Sequence, residues 1–213
     1  MNPLKTLPMR TALCLCMSIG GAVLVIGQAH AQSSRSVPTV GATSTIANGA
    51  GAGVTGAFTV NETAGIDNAQ VNQVTVSTGA VIANDNASLQ TASVAAKVTT
   101  ARASIEANAF SNTSGAVLVN QSAGAGNLQR NSTQLGTAAL GVETVSDGEL
   151  SATAPKNGSL GQPSGAYGVR EANISGNAFK NVSGIVQINQ TAGAGNATAN
   201  SFVLRPPAGT FFN

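Results

Sequence analysis

The chain has 213 residues, a formal net charge of +2 and 25 glycines, with 42% hydrophobic but only 3% aromatic residues. That length allows one or two domains, and the near-neutral balance excludes the basic surface that nucleic acid or an anionic membrane would demand. With so few large apolar side chains an ordinary oily core would be thin, so cohesion must come from elsewhere.

Residues 1–31 have the form of a signal peptide. Lys5 and Arg10 make a basic start, Thr11 to Gly27 is apolar, and Ala29-His30-Ala31 supplies a small-x-small cleavage pattern. The apolar run is shorter than the ~20 residues a membrane span needs, and Leu13 before Cys14 does not suit a lipoprotein signal. Cleavage near Gln32 would remove every Cys, His and Met in the chain, along with two of its basic residues. The expected mature protein is therefore neutral, and neither disulfide, thiol nor imidazole chemistry is open to it. Residues 32–43 read as a flexible lead-in, polar and containing Pro38.

Beyond the leader the organising feature is a repeat. ASIEANAFSNTSGAVLVNQSAGAGNLQRN (Ala103 to Asn131) returns as ANISGNAFKNVSGIVQINQTAGAGNATAN (Ala172 to Asn200), identical at 17 of 29 positions, which is too many for chance resemblance between loops. A more divergent copy lies upstream, where TGAFTVNETAGIDNAQVN (Thr55 to Asn72) matches SGAVLVNQSAGAGNLQRN. The resulting map is repeat one over 44–76, a linker with strand-forming residues over 77–102, and repeat two over 103–133. A Gly/Pro-containing linker over 134–171, repeat three over 172–203 and a tail over 204–213 complete it. Such a pattern predicts an all-β, repeat-built β-solenoid or set of stacked β-arches.

Each repeat reads as strand, arc, strand. Alternation along the first strand puts Val117, Val119 and Gln121 on one face, Leu118 and Asn120 on the other. Expected to stack on the apolar face are Phe58 and Val60, then Val117 and Val119, then Val186 and Ile188, with Phe110 and Phe179 as an aromatic pair. The intervening position varies as Thr59, Leu118 and Gln187, the behaviour of a solvent side. The arc falls at Gly65, at Gly124 and Gly126, and at Gly193 and Gly195, because glycine turns a strand sharply without a steric clash. A helix is disfavoured, since Gly, Asn, Ser and Thr are poor helix formers and β-branched residues surround them.

The asparagines supply the missing cohesion. A lone buried amide is costly, but identical amides stacked ~4.8 Å apart hydrogen-bond to one another along the stack. Asn61, Asn120 and Asn189 occupy one repeat position; Asn68, Asn127 and Asn196 a second; Asn72, Asn131 and Asn200 a third. Gln121 and Gln190 form a fourth, where the first copy has Glu62. Read as decoration, the same residues would be turn formers on a wet surface; recurrence at three positions in three copies favours the ladder.

The connections offer no chemistry. Glu143, Asp147 and Glu149 lack the regular oxygen spacing of a calcium loop and read as a solvated acidic turn. Pro155 and Pro163 mark a loop, Pro206 and Pro207 would end strand pairing, and Phe211 and Phe212 fit a cap or an export signal equally well. With no nucleophile elbow, carboxylate pair or metal cluster in a recognisable frame, an enzyme is disfavoured and no cofactor is expected.

VNQSAGAGNLQRN, led by NAFSNTSG, resembles the repeat of Fap-type bacterial functional amyloid subunits, and more distantly that of curlins. In that family a signal peptide precedes three imperfect Asn/Gln/Gly/Ala repeats separated by variable linkers; the Cys-x-x-Cys that its members usually carry near the C-terminus is missing here. The resemblance implies a secreted subunit that polymerises into extracellular fibres of biofilm matrix and adhesion. Its partners would be copies of itself, related fibre subunits and outer-membrane export machinery, with the amides above as fibre-core positions. The competing reading is a monomeric β-solenoid adhesin binding surface polysaccharide through a flat face, with sealed rather than open ends.

Overall fold

A computed structural model describes residues 37–79, 82–84, 86–93, 96–138, 142–144, 150–153 and 168–204, all within one compact unit, 36–213. The expected signal peptide, most of the second linker with Asp147, Glu149 and its prolines, and the tail beyond Leu204 lie outside the described residues. The described chain is all β. In order come β1 (Thr39–Ile46), β2 (Thr55–Ile66), β3 (Ala69–Gly79), β4 (Ile82–Asn84), β5 (Ser88–Thr91) and β6 (Lys97–Ile105). They are followed by β7 (Ser114–Ala125), β8 (Leu128–Ala138), β9 (Val142–Thr144), β10 (Leu150–Thr153), β11 (Val169–Ile174), β12 (Ser183–Ala194) and β13 (Ala197–Leu204).

Among the described residues every pairing is parallel, and in the three large sheets it joins equivalent strands of successive copies. Three sheets run β1-β6-β11, β12-β7-β2 and β13-β8-β3, and two short ones pair β4 with β9 and β5 with β10. The second repeat thus supplies the central strand of each large sheet. Its register is that of the sequence alignment: Asn61 and Asn189 both sit beside Asn120, and Asn72 and Asn200 beside Asn131. Parallel sheets are usually covered on both faces, and the middle strand of the second sheet follows suit. β7 lies between the β1-β6-β11 sheet and the β13-β8-β3 sheet, and is buried almost throughout.

Two apolar clusters fill the space between the first and second sheets. One is aliphatic and aromatic, built on Ile46, Ile105, Phe110, Val117 and Val119; the other is nearly all alanine, including Ala42, Ala101, Ala103, Ala123 and Ala125. Alanine there lets the two sheets approach closely beside the arc. Between the second and third sheets the filling is polar instead, with Asn120, Gln129 and Asn131 wholly buried. The far face of β8 is covered by the linker that precedes β6: Gln90 Nε2 donates to the Gln129 carbonyl at 3.0 Å and Asn86 Nδ2 to Ser132 Oγ at 3.0 Å.

These contacts revise several sequence expectations. Strand pairing opens at Thr39, inside the segment read as lead-in, and at Val169, inside the second linker, while the first linker, read as having strand-forming residues, supplies β4, β5 and the start of β6 at Lys97. The alternating small apolar residues of TVGATSTI and KVTTARASI explain this, since they bury one face of a strand. Leu118 is not on a solvent side; it is fully buried, and Gln187 is buried with it, because β8 and β13 fold back over that face. Variation at this position follows the cover each copy receives: the apolar Leu118 is in the fully buried middle strand, Gln187 hydrogen-bonds to the Ser132 carbonyl, and Thr59, in the first repeat, is exposed.

Candidate functional site

The amides meet as two interlocked ladders. Along β2-β7-β12, Asn120 Nδ2 donates to Asn61 Oδ1 and Asn189 Nδ2 to Asn120 Oδ1, each at 3.0 Å. Along β3-β8-β13, Asn131 Nδ2 donates to Asn72 Oδ1 at 2.9 Å and Asn200 Nδ2 to Asn131 Oδ1 at 3.0 Å. The two rows also cross-link: Asn131 Nδ2 donates to Asn120 Oδ1 and Asn189 Nδ2 to Asn131 Oδ1, both at 3.0 Å. Backbone carbonyls take up the remaining donor capacity, as when Asn120 Nδ2 donates to Val71 O at 2.8 Å and Asn189 Nδ2 to Arg130 O at 2.7 Å. A buried amide satisfied on both its nitrogen and its oxygen escapes the desolvation penalty that an orphan would carry.

Asn68, Asn127 and Asn196 form a third row just past the arc. Asn127 Nδ2 donates to Asn68 Oδ1 at 2.9 Å and Asn196 Nδ2 to Asn127 Oδ1 at 2.7 Å, and the same oxygens accept from the backbone N–H of Asn127 and Asn196. Gln190 Nε2 donates to Gln121 Oε1 at 2.9 Å, and Gln121 Nε2 caps the Ser104 carbonyl at 2.9 Å. Glu62, at the matching position, accepts from Ser44 Oγ at 2.9 Å instead.

The arc glycines are dictated by neighbours as much as by dihedral angle. Gly65, Gly124 and Gly193 have φ of 112°, 125° and 139°. A Cβ on Gly65 would lie 1.8 Å from the Gly124 carbonyl oxygen, and one on Gly124 1.8 Å from that of Gly193. Gly126 and Gly195 adopt left-handed φ of 64° and 67°, where the first repeat has Asp67 at 54°.

The apolar row contains one compensated swap. Phe110 and Phe179 stack with ring centroids 4.9 Å apart, and Phe58 joins them 5.9 Å from Phe110. Phe58 aligns with Val117, whereas the residue aligned with Phe110 is Gly51. A Cβ on Gly51 would fall 2.6 Å from the Phe58 ring, so the Phe58 ring reaches into the space beside Gly51 that a larger side chain would need. Val60, Val119 and Ile188 pack in the same cluster, while Val186, on the outer strand of the third repeat, remains exposed.

Three further rows have roles that the sequence reading did not assign. Gln70 Nε2 donates to Gln129 Oε1 at 2.6 Å, and Thr63 Oγ1 shares a hydrogen bond with Ser122 Oγ at 3.0 Å. Gly56, Gly115 and Gly184 open the second-sheet strands at φ of 105°, 125° and 126°. All of them recur at the repeat spacing and were legible there, although the glutamine survives in only two copies.

The fold and its stacked amides define an all-β protein held together along its strand-pairing direction by rows of identical side chains. Residues 25–207 match the functional amyloid protein FapB/FapC family, and the chain belongs to that family. It is a family of structural amyloid subunits. No solved structure matches the chain.

Proposed function

We propose that this chain is an exported subunit whose function is its own assembly, a three-turn β-solenoid of stacked β-arches that adds to extracellular fibres of biofilm matrix or surface adhesion. The asparagine, glutamine and aromatic rows are then the assembly site, and the contacts between repeats are the template for contacts between chains.

The observation that carries this reading is that the rows stop in mid-pattern. Among the described residues no strand pairs with the outer edges of β1, β2 and β3 at one end, or of β11, β12 and β13 at the other. Long open edges are hazards that soluble proteins usually blunt. Here they carry stacked amides and an open groove of about 420 Å³ between Val186, Ile188, Asn200 and Phe202. The family supports the same conclusion, and residues 1–31 with an outer-membrane pore would supply the export route.

Fibre diffraction from the purified, leader-free chain after incubation tests the reading. A meridional reflection near ~4.7 Å is expected. A chain that stays monomeric at high concentration, with folded β structure and no such reflection, would point to the surface-binding module instead.

A further inference from the structure

The two ends of the strand stack carry opposite charges on the same buried seam. Between the first and second sheets every inward position of the second repeat is uncharged: Ala101, Ala103 and Ile105 face Val117, Val119, Gln121 and Ala123. In the first repeat Gln121 is replaced by Glu62, half-buried on β2. In the third repeat Ala101 is replaced by Arg170, exposed on β11. Among the described residues these are the two charged side chains on the facing surfaces of those sheets.

Arg170 lies across the end of the arc. A Cβ on Gly193 would meet its Cδ at 3.1 Å and its Nε at 3.2 Å, in the direction in which Gly124 meets Gly193. The guanidinium therefore covers the place that the arc of an added strand would take. Gln190, three positions earlier, already donates to Gln121 at 2.9 Å and to the Asn173 carbonyl at 3.0 Å, which leaves its own oxygen facing outward.

Resting on the assembly reading above, we propose that a second copy docks head-to-tail, first repeat on third, and that Arg170 of one copy and Glu62 of the next form the contact that selects this polarity. Continued register sets Glu62 directly over Gln190, as Gln190 sits over Gln121. That brings a carboxylate against an amide oxygen, two acceptors without a donor. Arg170 is displaced from the arc by the incoming strand and lies within reach, one strand spacing (~4.8 Å) across and three residues (about 10 Å) along from the Gly193 it covers, a gap its long side chain and that of Glu62 close between them. Its five N–H groups can serve both acceptors. Head-to-head docking would bury two carboxylates together, and tail-to-tail docking two guanidinium groups; both are strongly disfavoured in a dry seam. Until docking occurs the same two charges keep the open edges in water, as inward-pointing edge charges do elsewhere.

The test uses two charge-reversed full-length, leader-free chains, E62R and R170E, followed by seeded growth kinetics. An E62R chain has a cation at both ends and an R170E chain an anion at both, so each alone should elongate about tenfold more slowly or worse, a like-charge penalty at one junction. An equimolar mixture should recover to near the wild-type rate, because alternating copies restore every pair, and the double variant E62R/R170E should grow alone. A mixture no faster than its components, together with a double variant no better than the singles, overturns the proposal. Wild-type chains that never form fibres would instead sink the assembly reading, and this one with it.

Discussion

Replacing Asn120 by alanine separates the energetics of a folded chain from those of a stack. Asn120 is fully buried at the crossing of both amide rows. Its nitrogen donates towards Asn61, Val71 and Asn72, and its oxygen accepts from Asn131 and Asn189. Two protons and two accepting directions amount to four hydrogen bonds at about 1 kcal/mol net each. The neighbouring amides keep other partners, so the expected cost is about 2–4 kcal/mol. Asn61, at the equivalent position of the first repeat, is exposed on one side. In an isolated folded chain Asn61→Ala should therefore cost well under half as much as Asn120→Ala. In a fibre, where a further copy covers Asn61, the two should converge. The assay is the concentration of unfolded chain in equilibrium with fibres in denaturant, which either variant should raise about 30- to 1,000-fold. If Asn61→Ala fibres are as stable as wild type while Asn120→Ala fibres are not, the first repeat does not stack on a neighbour and the reasoning fails.

The other expectations concern geometry. Gly124→Ala should abolish ordered assembly, since its Cβ would lie 1.8 Å from a carbonyl oxygen, whereas Gly53→Ala, with nothing within 4 Å, should only slow it; similar losses would mean that the close approach is unimportant. Gly51→Phe alone should be as damaging as a core overpacking, but Gly51→Phe with Phe58→Val should restore it, because Phe110 and Phe179 already occupy that loop position at φ of 56°; thermal or denaturant midpoints of the pair decide it. Phe110→Ala should cost about 3–5 kcal/mol, the usual penalty for emptying an aromatic site, read from fibre dissolution in guanidinium. Arg102→Ala should change little, less than about 0.5 kcal/mol, because its ion pair with Glu171 is about half exposed on both sides.

The amide rows were legible because a ladder demands identity at a fixed spacing, and the sequence keeps Asn at three positions in three copies. The arc was legible for a related reason, since only glycine fits against the next carbonyl. What escaped was anything not set by repetition alone. Leu118 looked solvent-facing because its position varies, yet variation there follows from how much of β8 and the linker covers each strand. The swap between Gly51 and Phe58 was hidden because one aromatic site is filled from two different sequence positions. The early strands β1 and β6 carry mostly alanine, threonine and serine, a pattern too weak to announce burial, and β11, VREANI, is exposed along its length.

The central claim is that like amides lie one strand spacing apart, within a chain and between chains. Solid-state NMR dipolar recoupling on fibres labelled with ¹³C at the asparagine side-chain carbonyl measures that spacing directly. A nearest-neighbour separation of ~4.8 Å is predicted for most of the label. Separations well beyond one strand spacing would contradict it, leaving each buried amide to find partners on its own.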